Sequence, residues 1–118
     1  MSNLNNEDIA RWEDKNNIMT NLAEWSNLVT ELSEKEIALY EWKEIYNIKS
    51  LEIENNTDFK AIYGKNNDKI RREHIKNELS DWYDTIKELE FSIDWIVRRI
   101  SFLKQLIHTK TIIMEVKE

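Results

Sequence analysis

The two histidines, His74 and His108, are where acid–base or metal chemistry would first be sought. They lie 34 residues apart. On one helix that separation is roughly 50 Å, so the two cannot share a site within a chain. Neither forms an i, i+4 metal pair with carboxylate neighbours of the usual kind. Each is therefore read as a surface or seam-edge residue. No Cys is present to act as nucleophile or metal thiolate. No Ser sits in a Gly-x-Ser-x-Gly elbow, and a single Gly excludes a glycine-rich phosphate loop. Carboxylates are plentiful, but Glu7 with Arg11, Glu31 with Lys35 and Asp94 with Arg98 have i, i+4 spacing, which reads as surface ion pairing. Glu41 with Glu44, or Asp84 with Glu88, would need converging helices to hold a divalent ion, and a solvated face is the simpler reading. The expectation is a chain that is not an enzyme and uses no metal or cofactor.

Residues suited to binding are easier to find. The stretch from Asp58 to Arg72 combines Phe59 and Tyr63 with Gly64, a helix start and five cations. Lys60, Lys65, Lys69, Arg71 and Arg72 could hold phosphates at a helix N-terminus, and Tyr63 could stack a base. The competing reading is a structural cap, with Phe59, Ile62 and Tyr63 closing the end of a hairpin. Five Trp residues are present. Trp25, Trp42 and Trp82 fall on apolar stripes, whereas Trp95 does not. Trp95 lies four residues before Arg99, a spacing that permits a cation–π pair. Trp95, Arg99 and Phe102 therefore form a candidate partner interface, since exposed aromatics beside Arg make good anchors. Glu41 and Glu44 on the acidic arm are further candidates for a protein partner.

Long helices must position these groups. Ile75, Leu79, Trp82, Ile86, Leu89, Ile93, Ile96, Ile100, Leu103 and Ile107 recur at alternating steps of four and three. That is the seam of a coiled-coil-like helix. It predicts a second arm over residues 68–116, of about 48 residues and roughly 70 Å, capped by Asn66 or Asn67. A first arm is predicted over 18–54. Its stripe reads Ile18, Leu22, Trp25, Val29, Leu32, Leu39, Trp42, Tyr46 and Ile53. Ser33 with Glu36 fits a capping box, so either a break or a register shift is expected there. Asn16-Asn17 suggests another break, leaving residues 1–17 as a frayed or short extra helix. Residues 55–67 form the bend, with a helical turn from Thr57 to Gly64. Long isolated helices are marginal in water, so the arms are expected to fold together as a long antiparallel all-α hairpin. Trp95, Phe102, Leu106 and Ile113 lie off the seam, a surplus that argues for a homodimer or a partner-protein interface.

The totals agree with this reading. The chain has 118 residues, one Gly, no Pro and 34% charged residues, which suits a single helical domain spanning 1–118. The net charge of −6 is unevenly spread. Residues 1–59 carry five Lys/Arg against thirteen Asp/Glu, and residues 60–76 carry six against two. An acidic arm thus leads into a basic bend. No apolar run approaches the ~20 residues needed to span a bilayer, and the polar start reads as neither a signal nor a transit peptide. A soluble cytoplasmic protein is expected, with no membrane partner.

Three segments resemble a known group. Asp58-Phe59-Lys60-Ala61-Ile62-Tyr63-Gly64, Asn67-Asp68-Lys69-Ile70-Arg71 and Arg98-Arg99-Ile100-Ser101-Phe102-Leu103-Lys104 are similar to a family of small helical proteins from phages and prophages of Firmicutes. The resemblance covers roughly residues 39–116 and carries no catalytic residues across. It implies a bacterial host cell and a genetic setting near recombination and replication. Three functions then compete. The chain could bind and inhibit or modulate a host nucleic-acid-handling machine, a nuclease or CRISPR effector, as an anti-CRISPR would. It could be a DNA-binding accessory of recombination or replication that uses the basic bend. It could be a structural coiled-coil oligomer.

Overall fold

A computed structural model describes residues 6–56, Phe59 and residues 68–117, with the side chains of residues 10–12, 14 and 117 outside the description. The chain is all-α, as the periodicity predicts. Helix α1 spans Asn6–Glu54, α2 spans Asp68–Glu78 and α3 spans Ser80–Lys117. Only Leu79 separates α2 from α3, and the backbone ladder runs through it. Leu79 N–H donates to Ile75 C=O at 2.9 Å, and Tyr83 N–H donates to Leu79 C=O at 2.9 Å. The predicted second arm is thus one run of helical hydrogen bonds. The predicted turn from Thr57 to Gly64, apart from Phe59, and the Asn66 and Asn67 caps lie outside the described residues, as do the side chains of Arg11 and Trp12.

Helix α1 differs from expectation in being unbroken. Asn16-Asn17 and Ser33-Glu36 lie within it without interruption. The reason is visible in the residues that turn inward. Ile18, Asn21, Trp25, Leu28, Leu32, Lys35, Leu39, Trp42, Tyr46, Lys49 and Ile53 are all buried or half-buried. Their steps alternate three and four throughout, so the heptad passes through residues 33–36 with no shift. Lys35 and Lys49 occupy seam positions with their aliphatic stems, as long cationic side chains can. Leu28, not its neighbour Val29, is the buried residue of its turn, and Asn21, not its neighbour Leu22, is the half-buried one earlier on; Leu22 and Val29 are exposed. The helix ends where Asn55-Asn56 predicts. Asn55 N–H donates to Leu51 C=O at 2.9 Å, and Asn56 N–H to Ile53 C=O at 3.1 Å, which tightens the last turn.

The chain divides into two compact units. The first joins residues up to Ser33 with those from Asp94 onward. Its core is Leu28, Ile96, Ile100 and Leu103, with Trp25 and Leu32 against it. Leu103 is 0% exposed and Ile96 1%. The second unit is Glu34–Ile93. Its core is Phe59, Ile75 and Leu79, flanked by Tyr46, Ile53 and Trp82. Partners in this unit descend as α1 ascends, which makes the pairing antiparallel. Lys43 meets Glu90, Tyr46 stacks near Tyr83, and Phe59 meets His74. All ten residues of the predicted α2–α3 seam are buried or half-buried.

Candidate functional site

The histidines serve structure at one end and solvent at the other. His74 is half-buried, with its ring 5.2 Å from the Phe59 ring and Nε2 3.7 Å from Glu78 Oε1. Phe59 is buried against Ile75 and Leu79, so this one bend aromatic does act as a cap. His108 is exposed. Among the described residues no group of three or more His, Asp or Glu side chains is placed to hold a metal ion. No helix among them is long and apolar enough to cross a membrane.

Half of the basic-bend candidates fall outside the described residues, namely Lys60, Tyr63 and Lys65. Lys69 and Arg72 are exposed on the first turns of α2. Arg71 is less available than a phosphate-holding role needs: only 26% of its side chain is exposed, and it is ion-paired with Asp68 one turn earlier. The i, i+3 spacing puts that carboxylate within reach, and part of the bend's positive charge is neutralised locally. Lys76 is also engaged, with Nζ 4.5 Å from the Tyr83 ring centroid.

The outward side of α1 in the second unit is a more coherent surface. Charge is sorted by helix face there. The stretch from Glu34 to Glu54 contains three lysines. Lys35 is half-buried on the seam. Lys43 Nζ lies 3.5 Å from Glu90 Oε1, and Lys49 Nζ lies 4.9 Å from the Trp82 ring centroid. Lys35 and Lys49 thus lie on the seam, and Lys43, itself half exposed, pairs with the second arm at the seam's edge. Glu34, Glu41 and Glu44 are exposed, and among the described residues none of them pairs with the second arm. They share an outward stripe with Ile37, Ile48 and Leu51, all exposed, at the alternating steps of three and four that keep residues on one helix face. Tyr40 is exposed beside this stripe and donates its hydroxyl to Glu44 Oε1 at 3.2 Å. The result is a face of carboxylates and apolar side chains with no cation on it. Glu41 and Glu44 were legible as candidates; Ile37, Ile48 and Leu51 were not, because an apolar residue beside a stripe is ordinarily assumed to support it. The position of the three lysines was the available signal.

A salt-bridge network anchors the inward side. Glu90 accepts from Lys87 at 3.3 Å as well as pairing with Lys43. Burial pushes the Glu90 carboxyl up, but the two ammonium groups outweigh it and leave its pKa below the usual value. The Glu90 hydrogen bond raises the Lys87 pKa in return. Tyr46, on the same side, is raised by desolvation and by Tyr83.

The α3 candidates lie in the first unit. Trp95 is 56% exposed and Phe102 51%. Arg99 does not pair with Trp95 as its spacing allowed. Its guanidinium sits 5.2 Å from the Phe102 ring centroid. The Arg99 fork also donates twice to Glu24, through Nε to Oε1 at 2.8 Å and Nη2 to Oε2 at 3.1 Å. This two-pronged geometry restrains the guanidinium, which then lies over the Phe102 ring. The hydrogen bond holds the Glu24 pKa below its ordinary value and raises that of Arg99. Glu24 had no sequence signal, since its partner is 75 residues away.

No family model matches this chain, and no curated relative or solved structure matches it either.

Proposed function

We propose that this chain is a non-enzymatic, phage-type interaction protein that binds a basic nucleic-acid-handling surface on a host nuclease or CRISPR effector and so inhibits or modulates it. The observation that supports this reading is the sorting of charge on α1, with Lys35 and Lys49 on the seam, Lys43 paired with Glu90 at its edge, and Glu34, Glu41 and Glu44 on the outward stripe. A cation-free acidic face is attracted to a groove built to hold phosphates, and complementary charge accelerates and orients that encounter. Carboxylates alone would give a fast but short-lived complex. Ile37, Ile48 and Leu51 between them supply apolar area that slows dissociation. The resemblance of residues 58–64, 67–71 and 98–104 to phage proteins agrees with a bacterial host as the setting.

The test is capture of host proteins with the wild-type chain and with Glu41→Lys/Glu44→Lys as baits. The reading expects a nucleic-acid-handling protein retained by the wild type and lost with the double variant, whose helicity is unchanged. The DNA-binding alternative predicts the reverse. The isolated chain would then bind DNA tightly and salt-sensitively through Lys69 and Arg72, and Lys69→Ala/Arg72→Ala would abolish it. That result would overturn the proposal.

A further inference from the structure

The apolar surplus on α3 has an internal order. In the first unit Trp95, Arg99, Phe102, Leu106, Thr109 and Ile113 form one stripe, at steps of four, three, four, three and four. That spacing reads the same from either end. It is also the spacing of a second coiled-coil seam, lying beside the one that packs on Leu28. Trp95, Phe102 and Ile113 are exposed, and Leu106 is half-buried.

We propose that this stripe is a two-fold dimer interface, on which α3 of a second copy packs antiparallel. A two-fold contact must be self-complementary, with residue i meeting j and j meeting i. Antiparallel pairing of this palindromic stripe sets Trp95 against Ile113 of the second copy, Phe102 against its Leu106, and Arg99 against its Thr109. Each aromatic meets an aliphatic side chain, so large and small alternate across the seam. Parallel pairing would set Trp95 on Trp95 and place two Arg99 guanidinium groups face to face. The single cation of the stripe is no obstacle in the antiparallel register. Its charge is already met by Glu24, and its guanidinium already lies over the Phe102 ring at 5.2 Å.

The area sets the strength. A side chain of this size that is about half exposed offers on the order of 100 Å². Trp95, Phe102 and Ile113 therefore supply roughly 300 Å² per copy and half-buried Leu106 a little more, under half of the ~800 Å² typical of a stable complex. The dimer is a concentration-dependent one, not an obligate one. It uses α3, whereas the proposed partner face is on α1, so either can fail without the other.

Sedimentation of the full chain over about a hundred-fold range of concentration should show a monomer–dimer equilibrium. Phe102→Glu should abolish it and keep the circular dichroism spectrum of the wild type, because that residue is half exposed. Orientation is tested with cysteines, since the native chain has none. Oxidising an equimolar mixture of Arg99→Cys and Thr109→Cys chains should give the mixed disulfide dimer, in several-fold excess over the homodimers formed by either variant alone. Wild-type monomer at every concentration would overturn the interface. Preferential Arg99→Cys or Thr109→Cys homodimers would overturn the antiparallel register.

Discussion

Arg99 and Glu24 meet in a two-pronged salt bridge across 75 residues of sequence, at 2.8 and 3.1 Å. Because Arg99 holds the Glu24 pKa below its ordinary value, the pair contributes stability that is present above the unfolded value, near about 4.3, and is lost as pH falls through the folded one. Both side chains are over a third exposed, so the effect is small and screened by salt. A double-mutant cycle of Glu24→Gln and Arg99→Gln should give a favourable coupling at pH 7. The coupling should vanish once Glu24 is protonated. A coupling that persists or grows in acid would contradict the assignment.

Two neighbours on α3 should behave oppositely. Leu103 is fully buried, and Leu103→Ala leaves a cavity costing about 3 kcal/mol. Phe102 is half exposed, and Phe102→Ala should cost under ~1 kcal/mol. Urea denaturation of dilute protein measures both. Equal losses would mean that the burial pattern of α3 is wrong.

Asn21 occupies a seam position of α1, and its Nδ2 is buried without a hydrogen-bond partner among the described residues. A buried donor left unpaired is costly, so Asn21→Leu should stabilise the chain by about 1 kcal/mol. A polar seam residue also specifies register, and the variant is expected to populate additional associated species. Thermal melts and sedimentation report the two effects. A lower melting temperature in Asn21→Leu would show that the amide is satisfied after all.

Phe59 anchors the core of the second unit against Ile75 and Leu79. Phe59→Ala should cost about 3 kcal/mol. The damage should be local, because the core of the first unit shares no residue with it. Hydrogen exchange should speed up in α2 while the amides around Ile96 to Leu103 stay protected. Uniform acceleration along the chain would show one cooperative core instead.

The α2–α3 seam was readable because its positions are consistently apolar, and all ten face inward. The α1 seam was read less well for a physical reason. Three of its inward residues are Asn21, Lys35 and Lys49, which a hydropathy pattern discards. If Lys35 is left out, the apolar periodicity lapses at Ser33-Glu36, where a capping box offers a ready explanation. The same residue types are equally at home on a helix surface. Val29 competes with Leu28 because both are apolar and one position apart, and Leu22 competes with Asn21 because only Leu22 is apolar; the partner arm alone decides between the members of each pair. Off the seam, the exposure of Trp95 and Phe102 was legible from their spacing. The choice of Arg99 between Trp95 and Phe102 was not, because Glu24 makes it from another part of the sequence.

The two cores differ in how much chain must be closed to form them, and that gives folding a direction. The Phe59–His74 contact closes 15 residues, whereas Glu24–Arg99 closes 75. A fivefold longer loop costs about 1.4 kcal/mol more in chain entropy, a factor of roughly ten. The second unit is therefore expected to assemble first, while Trp25 and Leu28 wait for a partner that lies later in the chain. On the ribosome these side chains stay uncovered until the residues around Ile100 emerge, which makes the early part of α1 the segment most exposed to mispairing or chaperone capture. Pulse-labelled exchange should find the amides around Ile75 to Ile86 protected before those around Asn21 to Leu32, and the opposite order would reverse the direction of assembly.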